Sequence, residues 1–130
     1  MGCAFSACGG LVDPSKNQLE TVTGFITGGH TSDSLGVSVT GPYNISKSGE
    51  YVVTFTSLTP PLALSFPVTI VFGLNTSAGC QPIAQNTAAV VGRQVLGTSI
   101  TPGTYCIGVA DQGFMSNGVV YTYSLSFSHP

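Results

Sequence analysis

The four cysteines, Cys3, Cys8, Cys80 and Cys106, are the residues of this chain best suited to covalent chemistry. Cys80 lies beside a turn and Cys106 within an alternating run, where it opposes Tyr105 and Ile107. A bridge between them closes a loop of about 27 residues and stabilises by roughly 3–4 kcal/mol in the chain-entropy view. Zinc competes for the same pair, but no C-x-x-C and no nearby histidine spacing supports it. Two buried free thiols are the third reading. The bridge is the expected outcome, and it implies an oxidising compartment, outside the cell or on its surface.

Cys3 and Cys8 leave more readings open. Phe5-Ser6-Ala7-Cys8-Gly9-Gly10 matches a bacterial lipobox, which would make Cys8 a lipidation site, yet only seven residues precede it. Met1-Gly2-Cys3-Ala4-Phe5-Ser6 fits a myristoylation pattern with Cys3 open to palmitate. A local Cys3–Cys8 disulfide and two free thiols complete the set. Asn44-Ile45-Ser46 and Asn75-Thr76-Ser77 are glycosylation sequons, which matter only where the source glycosylates.

Hydrolytic chemistry is not expected. His30 sits in a Gly-rich turn and His129 at what reads as a frayed end, and neither lies in a G-x-S-x-G setting. Asp33, Glu50 and Asp111 are isolated acids, so no carboxylate pair for glycoside hydrolysis forms. Asp111-Gln112-Gly113 reads instead as a turn closed by a side-chain-to-backbone bond. Lys16, Lys47 and Arg93 are the only fixed cations, which excludes a nucleic-acid groove.

The elements that must carry these residues are strands. Of 130 residues only 6% are charged while 42% are hydrophobic, and 17 glycines and 8 prolines punctuate Val-, Thr-, Tyr- and Phe-rich runs. No stretch of about 20 apolar residues could span a bilayer as a helix. Residues 1–17 read as an amino-terminal arm or leader remnant and residues 18–130 as a single domain.

Alternation predicts strands at 21–27, with Gly24 marking a bulge or a close approach, and at 35–40, with Leu35, Val37 and Val39 on the buried side. Further strands are predicted at 51–56, 68–74, 88–91, 94–98, 104–110 and 119–127. The apolar 68–74 run suggests cover on both faces, and the proline-rich 58–67 stretch suggests a loop. The fold class is therefore all-β, an antiparallel β-sandwich or jelly roll. Its expected core is Tyr51, Val53, Phe55, Ile70, Phe72, Tyr105, Ile107, Val109, Tyr123 and Leu125.

Three segments carry a family resemblance: residues 48–55 (SGEYVVTF), 102–111 (PGTYCIGVAD), and 121–125 (YTYSL) running on to His129-Pro130. Over residues 21–130 the chain resembles the bacterial pre-peptidase carboxy-terminal type of domain. That resemblance implies a small jelly-roll sandwich serving as a non-catalytic accessory module of secreted or surface proteins. Some such domains bind calcium through acids near their amino-terminal edge. Here that region offers only Asp13, Glu20 and Asp33, too sparse for six to eight oxygen ligands, so no cofactor is expected.

So little charge on exposed faces gives poor protection against association. The expected function is a non-catalytic, extracellular structural subunit that assembles with copies of itself into a fibre or surface layer. Phe5, Leu11 and Val12 are the only large apolar anchors of the arm, which is expected to be ordered only by a neighbouring subunit. The competing reading is a secreted binding module, lipid-anchored if Cys8 is acylated, presenting Tyr43, Phe114 or Met115 from loops to a glycan or protein.

Overall fold

The computed structural model describes residues 11–29, 36–63 and 65–130. A short 3-10 turn, Pro14–Lys16, leads into eight strands: β1 (Gln18–Thr27), β2 (Val37–Ile45), β3 (Gly49–Thr59), β4 (Val68–Thr76), β5 (Gly79–Ala89), β6 (Arg93–Ile100), β7 (Gly103–Ala110) and β8 (Val120–His129). They form two four-stranded sheets, β1-β8-β3-β6 and β2-β7-β4-β5. Every neighbouring pair is antiparallel. The protein is a β-sandwich.

Each side chain expected in the core is buried, from Tyr51 on β3 to Leu125 on β8. Inside, an aromatic cluster joins the sheets. Tyr51 of the first sheet stacks on Phe72 of the second at 4.1 Å between centroids, and Phe72 stacks on Tyr105 at 5.0 Å. Phe127 meets Phe72 at 5.7 Å and takes Tyr43 edge-on at 5.3 Å. Offset and edge-on pairs of this kind add about 0.5–1.5 kcal/mol beyond the area they bury.

Buried tyrosines need partners for their hydroxyls, and this requirement sets the face of β2. Tyr123 reaches from β8 across the sandwich to Ser38 Oγ at 2.8 Å. Tyr43 donates to Thr40 Oγ1 at 2.8 Å, and Thr40 donates in turn to the Ile107 carbonyl at 3.3 Å. With Ser38 and Thr40 turned inward, Val37 and Val39 must face out, because successive strand residues alternate sides. The expectation that Val37 and Val39 form the buried side is thus inverted: they are 52% and 54% exposed. A one-residue change of face moves the whole apolar set outward.

Other differences have equally local causes. The 58–67 stretch is strand as far as Thr59, and Leu58 is buried in the core. On β4 the inward Val68, Ile70 and Phe72 are buried, but outward Thr69 and Val71 are only partly covered, so one face of this strand is not closed over. β5 extends over residues 79–89 although its sequence, GCQPIAQNTAA, shows no alternation; β4 supplies its hydrogen bonds. Gly24 marks a close approach, since a Cβ there would stand 2.3 Å from the Tyr123 hydroxyl.

Part of the arm rests on its own domain. The Val12 amide donates to the Ser48 carbonyl at 2.8 Å, and Asn17 Nδ2 donates to the Glu50 carbonyl at 2.9 Å and Ser128 Oγ at 3.0 Å. Asp13 caps the 3-10 turn by accepting from the Ser15 amide at 3.0 Å, a bond that holds its carboxyl below the usual pKa. For residues 12–17 the expectation of ordering only by another subunit therefore fails: backbone and side-chain bonds within the chain do what three apolar anchors could not. Phe5, Cys3 and Cys8 lie outside the described residues, as do His30, Asp33 and Leu35.

Candidate functional site

The disulfide is built on the outer side of the second sheet. Cys106 points away from the core on β7, and Gly73 on β4 is its cross-strand neighbour. Beyond Gly73, β5 curls over β4 so that Cys80 meets Cys106 with Sγ–Sγ 1.98 Å and Cα–Cα 5.9 Å. Gly73 is the residue that permits this. A Cβ there would lie 2.5 Å from the Gln81 carbonyl oxygen and 2.9 Å from Cys80 Sγ. The bridge ties an edge strand with two register shifts to the central strand β7, where backbone pairing alone is weakest.

Beside the bridge lies an apolar recess of about 130 Å³. Its walls are Val37 and Val39 of β2, Val71 of β4, and Pro82 with Cys80 of β5; Gly108 and Ala110 of β7 form its floor. The floor is low because a Gly and an Ala stand where valines flank on both sides. None of the four strands of this sheet contains Lys, Arg, Asp or Glu.

The outer face of the first sheet differs. β8 presents Thr122, Ser124, Ser126 and Ser128, and β1 presents Thr21 and Thr23 opposite Ser126 and Ser124. From this hydroxyl surface two large apolar side chains project on β1, Leu19 at 72% and Phe25 at 69% exposure.

The three residues expected as loop contacts are dispersed. Tyr43 sits on β2, half-buried against Phe127. Met115 is buried at 5% exposure. Phe114 alone is exposed, and it stacks on Phe66 at 4.7 Å. Asp111 organises this loop: its Oδ1 accepts from the amides of Gly113, Phe114 and Met115 at 2.8, 3.0 and 3.1 Å. Leu11 and Val12 line a second recess, of about 280 Å³, with Gly49, Glu50 and Ser99.

His129 is not at a frayed end. It closes β8 opposite Gln18, is buried against Phe127 at 4.7 Å, and pairs through Nε2 with Glu20. A signal for this existed in the last run, whose alternation places His129 on the same side as Phe127 and Leu125. Burial holds the phenols of Tyr123, Tyr51 and Tyr43 above their ordinary pKa, and the hydrogen bonds to Ser38 and Thr40 offset this in Tyr123 and Tyr43. Among the described residues no three His, Cys, Asp or Glu side chains gather to hold a metal, and no helix is long and apolar enough to cross a membrane.

No protein-family model matches the chain, and no curated protein matches it. One solved structure, from work on Bacillus endospore appendages that form a family of disulfide-linked pili, is 14% identical to it. That likeness covers 91% of this chain and 93% of the other, with a TM-score of 0.38.

Proposed function

We propose that this protein is a non-catalytic structural subunit that works outside the cell and associates with copies of itself. The observation that carries this reading is the second sheet: four strands without a charged residue, with Val37 and Val39 turned to solvent. Monomeric proteins rarely leave such apolar surface uncovered without charge beside it. The Cys80–Cys106 disulfide supports an oxidising setting. Residues 1–10 precede Leu11 in the sequence and are the part of the arm this reading assigns to a neighbour.

The test compares the intact chain with one lacking residues 1–10, which retains Val12 and Asn17 and so keeps the contacts to Ser48, Glu50 and Ser128. Electron microscopy and sedimentation of the oxidised intact protein should show large particles, and the shortened chain smaller ones. An intact chain that sediments as a 13.3 kDa monomer overturns the reading.

The stacked Phe66 and Phe114 favour a second reading, the accessory module implied by the resemblance to pre-peptidase carboxy-terminal domains. An exposed aromatic pair on loops at one end of a sandwich suits the apolar face of a sugar or a protein side chain. Glycan-array binding lost in Phe114→Ala, by a protein that stays monomeric, would favour that module.

A further inference from the structure

We infer that the recess on the outer face of the second sheet receives Phe25 from the first sheet of another copy, stacking subunits head to tail. This rests on the self-association reading and specifies its contact.

Shape and charge argue for the pairing. The recess, about 130 Å³ between Val37, Val39, Val71 and Pro82, is of the order of the roughly 150 Å³ that holds one benzene in a dry protein cavity. Among the described residues Phe25 is the exposed aromatic that projects from a strand face, between Thr23 and Thr27 and opposite Thr122. Its immediate surface is hydroxyl-bearing and uncharged, so nothing around the ring requires a charged partner. The recess is equally uncharged, so seating the ring in it desolvates no ion.

Two recesses placed face to face would enclose a void, which close-packed interfaces avoid. A projection entering a recess fills it. Because the projection and the recess lie on opposite sheets of one subunit, each bound copy presents a fresh recess or a fresh ring. The contact is therefore heterologous and propagates instead of closing on itself as a symmetric dimer does.

The experiment uses the full-length oxidised chain, Phe25→Asp and Val39→Asp, alone and mixed in equal amounts, followed by sedimentation velocity. Both positions face outward, and unchanged circular dichroism and thermal midpoint confirm that each variant folds. Each variant alone should associate on the order of 100-fold more weakly, because a carboxylate would be buried without a partner. The mixture should form a species of two copies and stop, since one variant retains the recess and the other retains the ring. Wild-type-like assembly of both variants overturns this contact while leaving self-association intact. Loss with Val39→Asp alone, with Phe25→Asp unaffected, means recess meets recess and also overturns it. A monomeric wild-type chain overturns the self-association reading itself.

Discussion

On the outside of the first sheet, β8 lines up Thr122, Ser124, Ser126 and Ser128, whereas on the outside of the second, β7 sets Gly108 and Ala110 between the valines of β2 and β4. Both sheets enclose the same aromatic core. The first sheet follows the simple rule of apolar inside and polar outside except where Leu19 and Phe25 of β1 and Val120 of β8 stand exposed. The second breaks it on β2, and the cause lies in the core. Tyr123 and Tyr43 bring hydroxyls into the interior, and burying a hydroxyl without a partner costs about 1–3 kcal/mol. Ser38 and Thr40 satisfy them from β2, and the valines between are left outside. The apolar recess is thus a consequence of an internal hydrogen-bond network.

Removing the bridge that holds the second sheet's far edge should have the largest effect. Cys80→Ser with Cys106→Ser should lose about 2–4 kcal/mol in urea unfolding. Hydrogen exchange should show the loss concentrated in β5, with the β1–β8 pairing little changed. Uniform loosening of both sheets would contradict the division between them.

Ser38→Ala should follow, at about 1–3 kcal/mol, because the Tyr123 hydroxyl loses the partner shown at 2.8 Å. Ser38→Ala combined with Tyr123→Phe should recover much of this, since removing both partners leaves nothing unpaired. A double variant no more stable than the single would mean the hydroxyl pair does not set the inward face of β2.

The same tyrosines predict alkaline sensitivity. Burial raises the phenol pKa in the folded protein above the ordinary value of 10.0 for Tyr123, Tyr51 and Tyr43. The unfolded chain therefore releases these protons first. Stability from this source is fully present below about pH 10 and is lost as pH rises through the higher folded values. Denaturation midpoints read alongside tyrosinate absorbance should be flat to about pH 9 and fall beyond about pH 10.

Val39→Ser should have the smallest effect, within about 0.5 kcal/mol in dilute monomer. A loss near 2 kcal/mol would place Val39 in the core, as its sequence pattern alone suggests.

Much of the fold was legible in the sequence. The period-two runs on β3, β7 and β8 identify Tyr51, Val53, Phe55, Ile107, Tyr123 and Leu125 as core because they share one side of their strands, while Thr54, Thr56, Gly108, Thr122, Ser124 and Ser126 take the other. The turn at Asp111 was legible too, since an acid two residues before a glycine commonly accepts its amide. The face of β2 was not legible: Val37 and Val39 alternate with Ser38 and Thr40 correctly, but which set faces inward depends on Tyr123, 85 residues from Ser38, and on the Ile107 carbonyl, 67 residues from Thr40. β5 was hidden for a related reason, its pairing being imposed by β4 and the bridge over Gly73. His129 reads as frayed from its closeness to the chain end, while its alternation with Phe127 puts it on the buried side. Of the candidate surfaces, the low charge was visible in composition, and the recess was not.

Sedimentation equilibrium of the intact oxidised protein, across protein concentration and in two salts, tests the central claim most directly. Association through uncharged apolar faces predicts an average mass that rises above 13.3 kDa with concentration. It should rise further in sulfate, which strengthens apolar burial, and stay unchanged in sodium chloride, which screens only charges. A mass of 13.3 kDa at every concentration, or an association that sodium chloride dissolves, would contradict it.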